Sequence, residues 1–194
     1  MEFLTGGPAI AHPALWPGGG WMLQTTPESV LAEVTKATQP QFKFVALALD
    51  HIAPVGAGVT ELADAVVADR LALSKTHLMS AERLLRLRPP EVRGATSRAY
   101  YSLYHAARAC IFHFRRGDFD QHADVVSKLP DDLPQVDTWR NRIKDAREQR
   151  NECDYSPYPK QGCTKAEASK VVQTAREFID GVEAYLVARG WTAP

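Results

Sequence analysis

No run of this chain comes near the roughly 18–20 uninterrupted apolar residues that a membrane span requires. Its most apolar stretch, FVALALDHIAPV at 44–55, is short and broken by Asp50, His51 and Pro54. The opening MEFLTGGPAIAHPALW carries no Lys or Arg, so it lacks the basic start of a secretory signal, and the chain reads as cytoplasmic with no membrane partner. Cysteine is scarce. Cys110, Cys153 and Cys163 form an odd, unpatterned set that suggests neither a disulfide framework nor a zinc site, and plain thiols are expected. A Gly-rich phosphate loop, an internal repeat and an alternating strand pattern are all missing, which argues against nucleotide-binding α/β folds. No histidine follows His122.

What is present is the composition of a globular protein, 45% hydrophobic and 24% charged. In 194 residues it allows one domain, or one domain plus an appendage. The formal charge is zero but unevenly spread: residues 1–69 hold 2 basic and 7 acidic side chains, and the remainder 21 and 16. A basic second half hints at a polyanionic partner; a solvated helical surface explains the same count.

Residues 1–58 are a Gly/Pro-rich extension, with TGGPAIAHP and LWPGGGW near its start, where helix is disfavoured. Trp16 and Trp21 are candidates to tuck against the body. Thr26-Pro27-Glu28 is a helix-start signal for a short helix, SVLAEVTKA. FKFVALAL fits a strand or a helical turn equally.

From Thr60 the spacing turns helical. A first long helix, with Thr60 able to cap it, carries Leu62, Val66, Leu73, Leu78, Leu84 and Leu85 and ends at Pro89-Pro90. The second runs from about Glu91 to Arg116 and stops at Gly117. HADVVSKLP reads as a short helical piece. A third long helix starts at Pro134 with Val136, Trp139, Ile143 and Ala146 on one face. In the fourth, Thr164 is the cap, Glu167 completes a capping box, and Gly190 is the stop. The fold expected is all-α: an antiparallel four-helix bundle over 59–194 with an irregular N-terminal extension.

Two strings carry further information. SRAYYSLYHAARACIF, residues 97–112, resembles the helix shared by HEPN-domain proteins, and REQRNECDYSPY, 147–158, resembles the segment in which that family has Arg-Asn followed by Asp-Tyr. His122 stands where the family has a histidine after its second helix. The resemblance spans roughly residues 65–190. It implies a helical bundle that commonly forms homodimers. It further implies RNA cleavage in many members, and pairing of some with a small nucleotidyltransferase in toxin–antitoxin or stress systems. The nuclease motif it implies is Arg, four to six residues, then His. Histidine suits the proton transfers of RNA cleavage because it titrates near neutral pH, and arginine suits the phosphorane because its fork matches phosphate.

At this point the chain departs from the pattern. Arg150 is followed by Asn151, as the motif asks, but Tyr155 occupies the histidine position. Tyrosine ordinarily titrates near 10, too high for a base at neutral pH. Arg70 with His77, Arg108 with His113, and Arg116 with His122 have allowed spacing but lie outside the Arg-Asn segment. The candidate catalytic set is therefore Arg150, Asn151 and Tyr155.

The candidate binding set is Tyr101, Tyr104, His105 and Arg108, which share one helix face, together with Asp154. That face is either a pocket that stacks a base and holds phosphate or a bundle core with bonded hydroxyls. Arg150 either hooks phosphate or pairs with Asp154 one turn on. Arg140, Lys144 and Arg147 make a basic face. His122 among Asp118, Asp120 and Asp124 reads as turn chemistry, and no metal or cofactor is expected. The reading that follows is an RNA- or nucleotide-binding interaction module with a degenerate nuclease motif, in a toxin–antitoxin or defence setting. Its alternatives are an active metal-independent endoribonuclease, using Tyr155 or His105 with Arg150, and a structural partner that sequesters a nucleotidyltransferase.

Overall fold

A computed structural model describes residues 40, 41, 44, 47, 59–115, 117–119, 121–158 and 163–192. The helix expected over 29–37, and Trp16 and Trp21, lie outside the described residues, as do Arg116 and Asp120. Residues 40, 41, 44 and 47 are helical, which decides the open choice for FKFVALAL at those positions. The chain divides near residue 57, and the second unit is all-α, with no strand among the described residues.

Five helices follow one another: α1 (Val59–Arg86), α2 (Val92–Arg115), α3 (His122–Ser127), α4 (Val136–Tyr155) and α5 (Lys165–Ala188). Their ends follow local chemistry. At α5, the Thr164 hydroxyl accepts from the Glu167 backbone N–H while the Glu167 carboxylate accepts from the Thr164 N–H, the reciprocal cap its sequence predicts. Gly190 takes a positive φ of 85° just past that helix, a conformation a glycine enters without a Cβ clash. Thr60 is not a cap, because α1 already begins at Val59. α4 begins at Val136, and Gln135 enters it in the left-handed region at φ 59°.

The four long helices alternate in direction. Ser74 on α1 donates to the carbonyl of Ser102 on α2 at 2.7 Å, and Glu91 at the entry to α2 lies back against Leu84. Arg93 and Tyr101 on α2 meet Cys153 and Arg150 on α4. Trp139 on α4 packs on Phe178 of α5.

α2 is the centre. It buries Ala95, Ala99, Ala106, Ala107 and Ala109 as well as Tyr100, Leu103 and Ile111. The small side chains let its neighbours approach closely on several sides, and the large ones fill the gaps between them. α1, α4 and α5 all pack against α2, and α1 also packs on α5, but α1 and α4 scarcely touch each other. The strip of α2 between α1 and α4 is therefore covered by neither, and its Tyr101, His105 and Arg108 stay half-buried, a shallow groove at most.

One expectation about cysteine fails. Cys153, at the end of α4, is bonded to Cys163, just before α5; only Cys110 is free, and it is buried. The spacing gave no hint because ten residues separate the pair in sequence. The end of α4 lies beside the start of the antiparallel α5, which brings them together.

Candidate functional site

The floor of the groove comes from the string SRAYYSLYHAAR. On a helix, Ser97, Tyr101, Tyr104, His105 and Arg108 fall on one side, and that side faces the gap between α1 and α4. α1 adds His77. The His77 and His105 rings lie parallel, 5.3 Å apart and 5° from coplanar, and His77 sits 5.8 Å from Tyr101. His105 abuts Tyr104 edge-on at 5.3 Å, Tyr104 lies 4.8 Å from His122, and His122 lies 5.6 Å from Tyr100. A band of rings thus runs across the groove from α1 to the start of α3. His122 is oriented by a 2.7 Å hydrogen bond between its Nδ1 and the Tyr100 hydroxyl.

Arg150 forms the α4 edge. Nη1 donates to the Asn151 Oδ1 at 3.1 Å and to the Tyr155 hydroxyl at 3.0 Å. Nη2 donates to the Tyr101 hydroxyl at 3.1 Å. Nε is 2.7 Å from the Asp154 carboxylate, an ion pair by distance whose N–H does not point along the contact. A guanidinium has five N–H donors, and three of them are bonded to these neighbours, with the Asp154 carboxylate beside the fourth. Asp154 in turn accepts from Ser97, and Arg93 donates to the Cys153 carbonyl at 2.7 Å. The end of α4 is therefore bolted to α2 at three successive turns.

Of the residues singled out from the sequence, Tyr101, Asn151, Asp154 and Tyr155 meet at Arg150, with Tyr104, His105 and Arg108 further along α2, and their freedom is unequal. Arg108 is tied to Asp118, which also receives Arg70 at 2.8 Å, and its Nη1 donates to the Tyr104 hydroxyl at 3.2 Å. Asp118 is thus an arginine clamp. Arg140 is occupied by Asp131, Asp137 and the Leu129 carbonyl. Tyr155 is the most open member, 71% exposed. It and Asn151 also line a hollow with Glu148 and Glu152, whose carboxylates repel phosphate from that side.

Charge is distributed to keep the imidazoles neutral. Burial lowers the His105 pKa to about 4, aided by His77, Arg108 and Arg70. His77 is lowered by burial and then by Arg98; His122 is lowered by burial and then by Arg147, Arg150 and Arg108. Burial pushes the Tyr100 hydroxyl up to about 12. Among the described residues, Arg147 has no hydrogen bond or ion pair, and its charge acts on both Tyr100 and His122.

Sequence reasoning missed Arg93, Ser97, Arg98 and the role of His77. The last had surfaced only as a spacing match to Arg70, because nothing in sequence says which side of α1 turns toward α2.

Two comparisons bear on this site. The family model for the HEPN domain matches residues 67–185, a span that includes the groove and every residue of α2 and α4. Among curated proteins nothing matches.

Proposed function

The chain belongs to the HEPN domain family, and from that membership we propose that the α1–α2–α4 groove binds the phosphate backbone of RNA or a nucleotide. In this reading Arg150 is the keystone of the groove's geometry and is not a phosphate hook. The observation that carries it is the half-buried rings of Tyr101 and His122, with Arg147, a cation without an acidic partner among the described residues, acting on His122. Rings offer stacking surfaces to any base, and an unpaired arginine offers a fork to phosphate. Arg150 is occupied by Tyr101, Tyr155, Asn151 and Asp154, so it has little left to give a transition state.

The degenerate motif has the same consequence. Tyr155 stands where the motif has histidine, and a phenol is a poor base at neutral pH, so the groove is read as binding without cutting. A homodimer is the assembly proposed, in keeping with the family's habit, with a nucleotidyltransferase as a partner in a toxin–antitoxin or defence setting. The test is a gel-shift titration of purified protein with labelled single-stranded RNA at several salt concentrations. Retention that weakens steeply with salt supports the reading; no retention at low salt refutes it.

One observation favours cleavage as a second reading. His122 is oriented by Tyr100 and lies in the fields of Arg147 and Arg150, an imidazole near cations where phosphate would sit. Metal-free cleavage of the same RNA, abolished by both His122→Ala and Arg150→Ala, would establish it.

A further inference from the structure

The band of rings has a second cationic end, away from Arg147. Arg98, an exposed residue of α2 one turn before Tyr101, reaches across to α1 and places Nη1 3.5 Å from His77 Nδ1. His77 is backed by the parallel ring of His105 and flanked by Tyr101. His77 is lowered first by burial and then by the charge of Arg98.

Behind this pair, His105 Nδ1 and Arg70 Nε are buried without hydrogen-bond partners. Arg98 spends one of its five N–H donors on a neutral His77 ring nitrogen, which leaves the rest of its fork, and the other ring nitrogen of His77, free of any acidic partner among the described residues. An anion suits that pair, because phosphate oxygens accept from the guanidinium fork and from a ring N–H together.

We propose that Arg98 and His77 form a phosphate subsite at the α1 edge of the groove. It is distinct from the Arg150 segment, and it takes one phosphate of a strand whose further phosphates lie toward Arg147. This inference rests on the groove-binding reading for its ligand, a single-stranded oligonucleotide, with Tyr101 as the stacking surface between the two cations. A strand long enough to reach both cations gains from each, and a mononucleotide reaches only one. The groove therefore selects oligonucleotides over mononucleotides.

Two measurements test it on the full chain. In the first, fluorescence anisotropy follows a ten-residue oligouridylate and uridine monophosphate as competitor, with wild type, Arg98→Gln and His77→Gln. Each variant is expected to bind the decamer roughly three- to tenfold more weakly, and Arg98→Gln to reduce the salt slope by about 1. Uridine monophosphate competes weakly. Unchanged thermal unfolding of Arg98→Gln, whose side chain is exposed, excludes a folding defect.

In the second, inorganic phosphate is titrated while the histidine ring resonances are followed by NMR. His77 is expected to shift, and its pKa to rise as phosphate offsets the charge of Arg98; Tyr101 and His105 complete its surroundings. Wild type that binds the decamer while both variants bind it equally well overturns the subsite and leaves the groove reading standing. Failure of wild type to bind RNA, with His77 still responding to phosphate, overturns the RNA reading and leaves the subsite. A His77 resonance indifferent to phosphate overturns the subsite in either case.

Discussion

The Arg150 guanidinium and the Tyr101 hydroxyl lie 3.1 Å apart, joining the last turns of α4 to the middle of α2. The Arg150 charge also sits 5.5 Å from the Tyr101 ring centre and 5.0 Å from that of Tyr155. One side chain thus fixes the direction of two tyrosines and one carboxylate. Several consequences can be measured.

Arg150→Ala removes the donor for Tyr101, Tyr155 and Asn151 and leaves Asp154 without its cation. Its side chain is only 15% exposed, so these losses are felt as stability, roughly 2–4 kcal/mol. Tyr155→Phe removes one bond at an exposed ring and costs under about 1 kcal/mol. Urea denaturation of the two variants checks the contrast. An Arg150→Ala protein as stable as wild type would mean that Arg150 is not the keystone.

Arg147→Ala should leave stability within about 0.5 kcal/mol, because no ion pair or hydrogen bond is lost. RNA binding should weaken for all sequences alike, with the salt slope reduced by about 1. Thermal unfolding and a salt-dependent binding titration on the same preparation separate the two effects.

Stability should fall in mild acid. The unfolded chain protonates histidine near the ordinary 6.5, whereas folded His105 resists protonation until about 4. Its contribution is complete above about pH 6.5 and is lost as pH falls toward 4. His77 and His122, both lowered, act in the same direction. The melting temperature is expected to drop between pH 7.5 and pH 5, and His105→Gln to flatten that drop. A variant with the same pH dependence as wild type would exclude His105 as the cause.

Oxidised protein unfolded in guanidinium should show one reactive thiol, Cys110, and three after reduction. Closing a short loop constrains the unfolded chain by roughly 2–3 kcal/mol in the chain-entropy view. Cys163→Ser should therefore melt lower than wild type without reductant and equal to it with reductant. Equal melting in both conditions would mean that the bond does not form in solution.

The bundle itself was written in local patterns. Prolines at 89–90, the Thr164–Glu167 box, Gly190 and the apolar stripes are signals within a few residues of where they act, and each places a helix or its end. The string around Tyr101–Arg108 announced one polar aromatic face, and the spacing of Arg150 and Asp154 allowed an intrahelical pair without choosing it over a phosphate hook, because helical periodicity is a property of the chain alone.

What no local pattern could state is which faces meet. His77 turns toward His105 because α1 packs antiparallel on α2 at the register set by Ser74 and Ser102. Arg98 meets His77, and Arg93 meets Cys153, for the same reason of register. Cys153 finds Cys163 because the end of α4 lies beside the start of the antiparallel α5. The groove exists because α1 and α4 both pack on α2 and hardly on each other, an outcome of how four amphipathic rods share one buried helix. Packing of that kind is decided by all the side chains at once, so the chemistry of the site belongs to the tertiary structure, while the list of its parts belongs to the sequence.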